Sequence, residues 1–245
     1  MALAQQMAGF TRRINQKAVE CNLNREKPYL RPIPDGASSD YFYSSPKVLF
    51  ILKEPYDSKS DSGRPKGGGW SIVQYHSNPS YVAENHYFTT YYVAQTANII
   101  LNGQYSQDGG KAPETYEIMS QIAYINLSKM PAYETTDEDT LRFNYVSYWR
   151  EIVHAQIEFL NPDVIVCGNT FDILRSEDYF FSDDNIISKN HPYFAGDGKI
   201  ESYVYNYDGN KKRLVIDAYH PSYSGYNYEY MDAMKRAFDS FRRRY

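Results

Sequence analysis

Three stretches of the chain are apolar without alternation: KVLFILK (47–53), IAYINL (122–127) and DVIVCG (163–168). Runs of this kind suit strands covered on both faces, as in parallel α/β sheets. Each stops at a polar edge: Lys53-Glu54-Pro55-Tyr56, then Asn126 with Ser128 and Lys129, then Gly168-Asn169. A fourth run, LVIDA (214–218), leads into His220-Pro221-Ser222. With the run before it and an Asp208-Gly209 turn between, 199–222 reads as a hairpin. Helical spacing is clearest over 136–162. There Leu141, Tyr145, Trp149, Ile152, Val153, Ile157 and Leu160 recur every three or four residues, and Asn161-Pro162 stops the pattern. Further helices are predicted over 3–22, over 85–101 with Gly103 closing it, over 113–121 behind Pro113, in NTFDILR with Asn169 or Thr170 as cap, and over 228–243. The segments 24–46 and 57–69, rich in Pro, Ser, Gly and Asp, read as loops.

Strands alternating with helices predict an α/β fold of three layers, α/β/α, with a mainly parallel central sheet of about four strands. The hairpin adds one antiparallel strand. At 245 residues the chain is expected to be one domain, with 1–45 as an N-terminal helix and loop extension. In such sheets ligands bind beyond the carboxyl ends of the strands. Glu54, Asn126 and His220 are therefore expected to face one crevice beside a glycine-rich loop. Taken singly, each has an ordinary role: a solvated loop acid, a turn cap, a loop histidine bonded to a carbonyl. Their coincidence at strand ends on one side is what points to a site.

Composition narrows the field. The formal charge of −4 gives no global basic field, although the tail KRAFDSFRRRY is locally basic; cations there suit the end of a helix. Two cysteines, Cys21 and Cys167, are too few for a disulfide framework, a zinc ribbon or an iron–sulfur site. No apolar segment is long enough to span a bilayer, and no apolar leader opens the chain, so a cytoplasmic protein without a membrane partner is expected. No histidine pair has metal-ligand spacing with a third ligand close by, so no metal is expected. His154 falls within the long helix pattern, where a helix-surface role is expected; His76 and His86 flank the glycine-rich stretch; His191 lies in a polar loop. There are 26 tyrosines, which serve equally as half-buried surface or as stacking platforms for bases.

The strand-end residues, in order, resemble the motifs of the uracil-DNA glycosylase superfamily. Leu52-Lys53-Glu54-Pro55-Tyr56-Asp57 is a loose match to its first motif, often written G-Q-D-P-Y-H. YINLSK supplies an asparagine at the end of a strand, and Asn126 to Lys129 is similar to the Asn-x-x-Lys of its thermophilic branches. NPDVIVCGNTF matches its next strand, and His220-Pro221-Ser222-Tyr223 its closing H-P-S-P. The matches span roughly 47–225 and leave 1–45 and 71–112 uncovered. Leu52 replaces a glycine, Glu54 stands where the best-known branch has aspartate, Tyr223 replaces the second proline, and the cysteines of the iron–sulfur branches are absent.

The resemblance implies a monofunctional DNA glycosylase, a monomer, acting on a flipped uracil or related base without a cofactor. Glu54 would position the water and stabilise the cationic sugar; His220 would donate a hydrogen bond to the leaving base; Asn126 would read the base edge. Tyr56 would wall the pocket and exclude a 5-methyl group. Trp70 either stacks on the base or anchors the glycine loop as a core residue, with Phe88 a weaker stacking candidate. Ser222 would hold a phosphate, and Tyr223 or Tyr226 would wedge into the duplex. A lysine-linked lyase step is disfavoured, although Lys53 and Lys129 are both expected near the crevice, Lys53 as a substrate contact. A rival reading is a non-catalytic protein that holds a nucleotide or modified DNA on the same fold. An unrelated hydrolase is disfavoured, since neither a G-x-S-x-G elbow nor a phosphate-binding G-x-x-x-x-G-K-[ST] loop occurs.

Overall fold

A computed structural model describes residues 3–23, 30–57, 67–85, 87–106, 108–132, 137–190, 192–195, 198–207, 209 and 211–245. Its strands in chain order are β1 (Gly36–Ala37), β2 (Val48–Leu52), β3 (Ala123–Asn126), β4 (Val164–Gly168), β5 (Ile186–Lys189), β6 (Tyr193–Ala195), β7 (Gly198–Tyr205) and β8 (Arg213–Ala218). Its helices are α1 (Leu3–Leu23), α2 (Ile72–His76), α3 (Pro79–Asn85), α4 (Phe88–Leu101), α5 (Glu138–Asn144), α6 (Arg150–Leu160), α7 (Phe171–Glu177) and α8 (Tyr228–Arg244). Residues 113–121 form a 3-10 helix.

The chain is an α/β fold on one mixed sheet of eight strands, in the order β1-β3-β2-β4-β8-β7-β5, with β6 beside β7. The four apolar runs pair parallel to one another, β3 to β2, β2 to β4 and β4 to β8. Their carboxyl ends therefore lie on one side. Antiparallel pairing brackets them: β1 on β3 at one edge, β7 on β8 at the other. The count of about four strands was too low because β1, β5 and β6 are short and carry no apolar run. The hairpin expected over 199–222 is β7 with β8; its Asp208 lies outside the described residues.

Every residue of β2 and β4 is buried. Alternate side chains feed two apolar clusters. Leu49, Ile51, Ile165 and Cys167 pack with residues of α1, α6 and α7. Val48, Phe50, Val164 and Val166 pack with residues of α4 and α8. That double cover is the reason these runs show no polar alternation. The 1–45 segment is built in rather than appended: Ile14, Ala18, Cys21, Leu30 and Tyr41 belong to the first cluster.

The long helix pattern over 136–162 is interrupted. α5 gives way to a π-helical turn over 145–149 before α6 begins. Tyr145 and Trp149, at the two ends of this turn, are both wholly buried. Asn161 ends α6 in the left-handed region at φ 47°, its N–H donating to Ile157 at 2.9 Å. Thr170 precedes α7 but makes no side-chain cap; its hydroxyl donates instead to the Ile51 carbonyl at 2.9 Å, tying α7 to β2. Among the described residues no helix is long and apolar enough to cross a membrane.

Phe50 lies at the centre of the second cluster with no exposed surface. Phe50→Ala is expected to lower unfolding stability by about 3–5 kcal/mol, read from the midpoint of a urea titration at unchanged slope.

Candidate active site at the strand ends

Beyond their last residues, β2 and β3 stay joined. The Leu127 N–H donates to the Leu52 carbonyl at 2.9 Å, Ser128 to Lys53 at 3.0 Å and Ala132 to Pro55 at 2.9 Å. Tyr56 and Ala132 form a further parallel bridge. The two loops that carry Glu54 and Asn126 are thus one zipped unit. Glu54 is 9% exposed and Tyr56 48%; Lys53 is half-buried.

The next two strand ends close on the same unit. Asn169 donates its N–H to Ala218 at 2.7 Å across β4 and β8. A Cβ placed on Gly168 would meet Leu52 Cδ2 at 2.2 Å and Pro221 Cδ at 3.3 Å. Gly168 therefore lies packed between the end of β2 and the His220-Pro221 turn. That contact brings the Glu54 and His220 segments together.

His220 is half-buried, and its ring is locally fixed. Its Nδ1 accepts the Ser222 backbone N–H at 3.2 Å and lies 2.8 Å from Ser222 Oγ. An Nδ1 that accepts leaves the proton of the neutral ring on Nε2. Burial, with Lys53 nearby, pushes the His220 pKa down to about 4, so the ring is neutral at pH 7. Ser222, expected to hold a phosphate, is exposed and also orients the imidazole.

Asn126 has no exposed surface, and its peptide is held from two sides. Its N–H donates to Asp35 Oδ2 at 2.7 Å, and its carbonyl accepts from Lys129 Nζ at 2.7 Å. Lys129 also reaches both Asp35 oxygens at 2.8 Å, and Gln156 donates to Asp35 Oδ1 at 3.0 Å. Both charged side chains of this pair are wholly buried. With its backbone so fixed, the Asn126 side chain presents Oδ1 and Nδ2, both buried and neither bonded to another group among the described residues. An acceptor and a donor stand together there, unspent.

Lys129 therefore lines no crevice. Its three protons go to Asp35 and to the Asn126 carbonyl, so none remains for the disfavoured lyase step. Burial lowers its pKa, against the opposing pull of Asp35. Tyr226 is corrected too: it is 1% exposed, with its hydroxyl 3.0 Å from Thr96, and has no path to a wedge. Tyr223 is 43% exposed, its ring 4.7 Å from Tyr219. Trp70 anchors the glycine segment: half-buried, it donates Nε1–H to Asp57 Oδ1 at 3.3 Å and rests on Tyr75 at 5.9 Å. Asp57 also takes the Gly68 N–H at 2.8 Å, so it pins the glycine segment. Gly67, Gly68 and Gly69 all have positive φ.

Of the remaining histidines, His76 is buried against Tyr124, 5.2 Å away, rather than at the strand ends. Burial lowers its pKa to about 3. His154 is half-buried, its ring tilted against Tyr179 at 4.6 Å. His86 and His191 lie outside the described residues. A cavity of about 210 Å3 opens at the β1 edge, lined by Met7, Phe10, Asp35, Val73 and Gln156 among others, and includes none of the strand-end residues.

Sequence reasoning missed Asp35 and Gln156. Asp35 lies in Pro-Asp-Gly, which reads as a turn, and Gln156 on a helix whose apolar positions drew the attention. Removing one partner of a buried ion pair costs about 3–5 kcal/mol. Lys129→Met is expected to lose that much by urea unfolding, and Asp35→Asn with Lys129→Met to recover more than half. No family model matches the chain, and no curated protein matches its sequence.

Proposed function

We propose that the protein is a monofunctional DNA glycosylase that hydrolyses the bond between deoxyribose and uracil or a related base. In this reading the parallel strands β3-β2-β4-β8, with helices on both faces, form the three-layer core of a uracil-DNA glycosylase-like fold. The observation that carries it is the Asn126 amide: buried, backbone-clamped, without a partner among the described residues, and at the strand ends shared by Glu54 and His220. A buried amide without partners costs free energy, and a base edge with an adjacent carbonyl and ring N–H satisfies both of its atoms.

The chemistry follows from the groups present. Water attacks C1′ as the bond from C1′ to the base nitrogen breaks, and the bonding pair leaves with the base. His220 Nε2–H donates to the carbonyl oxygen where negative charge gathers. Glu54 accepts the proton of the water and opposes the positive charge on the sugar. A neutral imidazole suits this role, because a donor that keeps its proton stabilises the departing anion without having to recharge.

The test is base release from uracil-containing oligonucleotides. Wild type is expected to release uracil, with Glu54→Gln and His220→Ala each reduced at least about 100-fold. Retention of full activity by either variant removes that residue's assignment. Binding without release in wild type leaves a holder of modified nucleic acid on the same fold.

The pH profile supplies a second check. His220 binds its proton only near pH 4 in the folded protein, against an ordinary value of 6.5. Its donor form therefore persists as pH falls through 6.5, and that limb of the rate is expected to break near pH 4. Because the folded pKa is depressed, the unfolded chain binds more protons between these values. The His220 contribution to stability is thus lost as pH falls from 6.5 toward 4. Thermal unfolding of His220→Asn is expected to be less acid-sensitive over that window.

A further inference from the structure

Asp35 joins two amides. It accepts from the Asn126 backbone at 2.7 Å and from Gln156 Nε2 at 3.0 Å. Gln156, on α6, is 2% exposed and borders the cavity at the β1 edge. A carboxylate that already takes Lys129 on both oxygens can only accept, so the sense of the Gln156 amide is fixed, with its nitrogen toward Asp35. Its Oε1 is buried and has no partner among the described residues. An acceptor buried without a donor costs free energy.

The cavity beside that acceptor suits a ring. α1 supplies Met7 and Phe10 to its wall, α2 supplies Val73 and α6 supplies Phe159. All four are half-buried. The Phe10 and Phe159 rings lie 5.5 Å apart at 48°, a tilted arrangement in which aromatic rings attract one another. Met7 adds a thioether, which packs well against ring edges. Among the described residues that line the cavity, Asp35 alone is charged, and Lys129 matches its charge. An ionic ligand would find no free counter-charge there. An apolar cavity of about 150 Å3 takes up benzene. This one, at about 210 Å3, has room for a second fused ring.

We infer that this cavity is a second ligand site, for a small, neutral, bicyclic aromatic molecule that carries one N–H or O–H donor. The ligand's rings pack among Met7, Phe10, Val73 and Phe159, and its donor goes to Gln156 Oε1. Water would satisfy that acceptor but leave the apolar side chains wet. A purely apolar ligand would cover those side chains and leave the acceptor unpaired. A molecule with both parts answers both needs. The site lies apart from Glu54, Asn126 and His220 and meets that set through Asp35.

An NMR titration would compare indole with benzofuran, which has the same shape and a ring oxygen in place of the N–H. Indole is expected to bind wild type with a Kd below about 1 mM, and benzofuran about 3- to 10-fold more weakly for want of one hydrogen bond. Val73→Trp and Ala8→Trp fill the cavity from α2 and from α1, and each is expected to weaken indole at least about tenfold. Val19→Trp, at an α1 position that is 59% exposed and outside the lining, is expected to leave it unchanged. Gln156→Met is expected to bring indole down to the affinity of benzofuran. No indole binding below about 5 mM, equal binding of benzofuran, binding that survives both filling variants, or equal loss in Val19→Trp overturns the inference. So does a wild-type dimer in sedimentation that Val73→Trp dissolves, which would put a second copy of the chain on this face. Ligand binding and base release are separate readouts, so the failure of either leaves the other standing.

Discussion

The arrangement at the strand ends depends on one buried carboxylate. Asp35 accepts four hydrogen bonds, two from Lys129 and one each from Gln156 and the Asn126 backbone. Four donors fill the lone-pair positions of a carboxylate, so a charge that would be costly in the interior is matched on every side. The residues come from the segment before β1, the end of β3, the loop after it, and α6. Local preference at any one of them would not assemble the set. Its product is a peptide at Asn126 that cannot turn, carrying a buried side-chain amide at the end of β3.

A second set of constraints brings the other groups to that amide. The loops after β2 and β3 remain hydrogen-bonded past the end of the sheet, so Glu54 is placed by the same ladder that places Asn126. His220 comes from β8, two strands away from β2, and reaches them by the packing of its turn over Gly168. The acid and the histidine thus arrive by different routes. Backbone pairing fixes one, side-chain contact the other. Ser222 then sets the tautomer, and desolvation keeps the ring uncharged.

The parallel strands were legible because burial on both faces removes polar alternation, and a five-residue run such as VLFIL, too short for a buried helix, suits little else. Their polar ends were legible for the same reason, since a break in so strong a pattern is visible. Asp35 was not, because a carboxylate flanked by proline and glycine has the signature of an exposed turn, and its partners lie 91 and more residues away. Lys129 was placed in the right neighbourhood and given the wrong freedom: sequence marks where a lysine is, not how many of its protons are taken. Tyr226 and Tyr223, three residues apart, show the same limit. One is sealed beneath Thr96 and the other half open, a difference set by the α4 and α8 packing rather than by residue type.

Gly168 and Leu52 share one volume. The leucine methyl occupies the space a side chain at 168 would need, and Pro221 bounds it on the other side. Position 168 is therefore not free to take a side chain while Leu52 stays. A bulkier residue at 168 demands a smaller one at 52, and the exchange would slide the histidine turn relative to the acid. Drift at this pair, neither of which carries a charge, is a route by which relatives of this chain would change the spacing of Glu54 and His220 while keeping both residues.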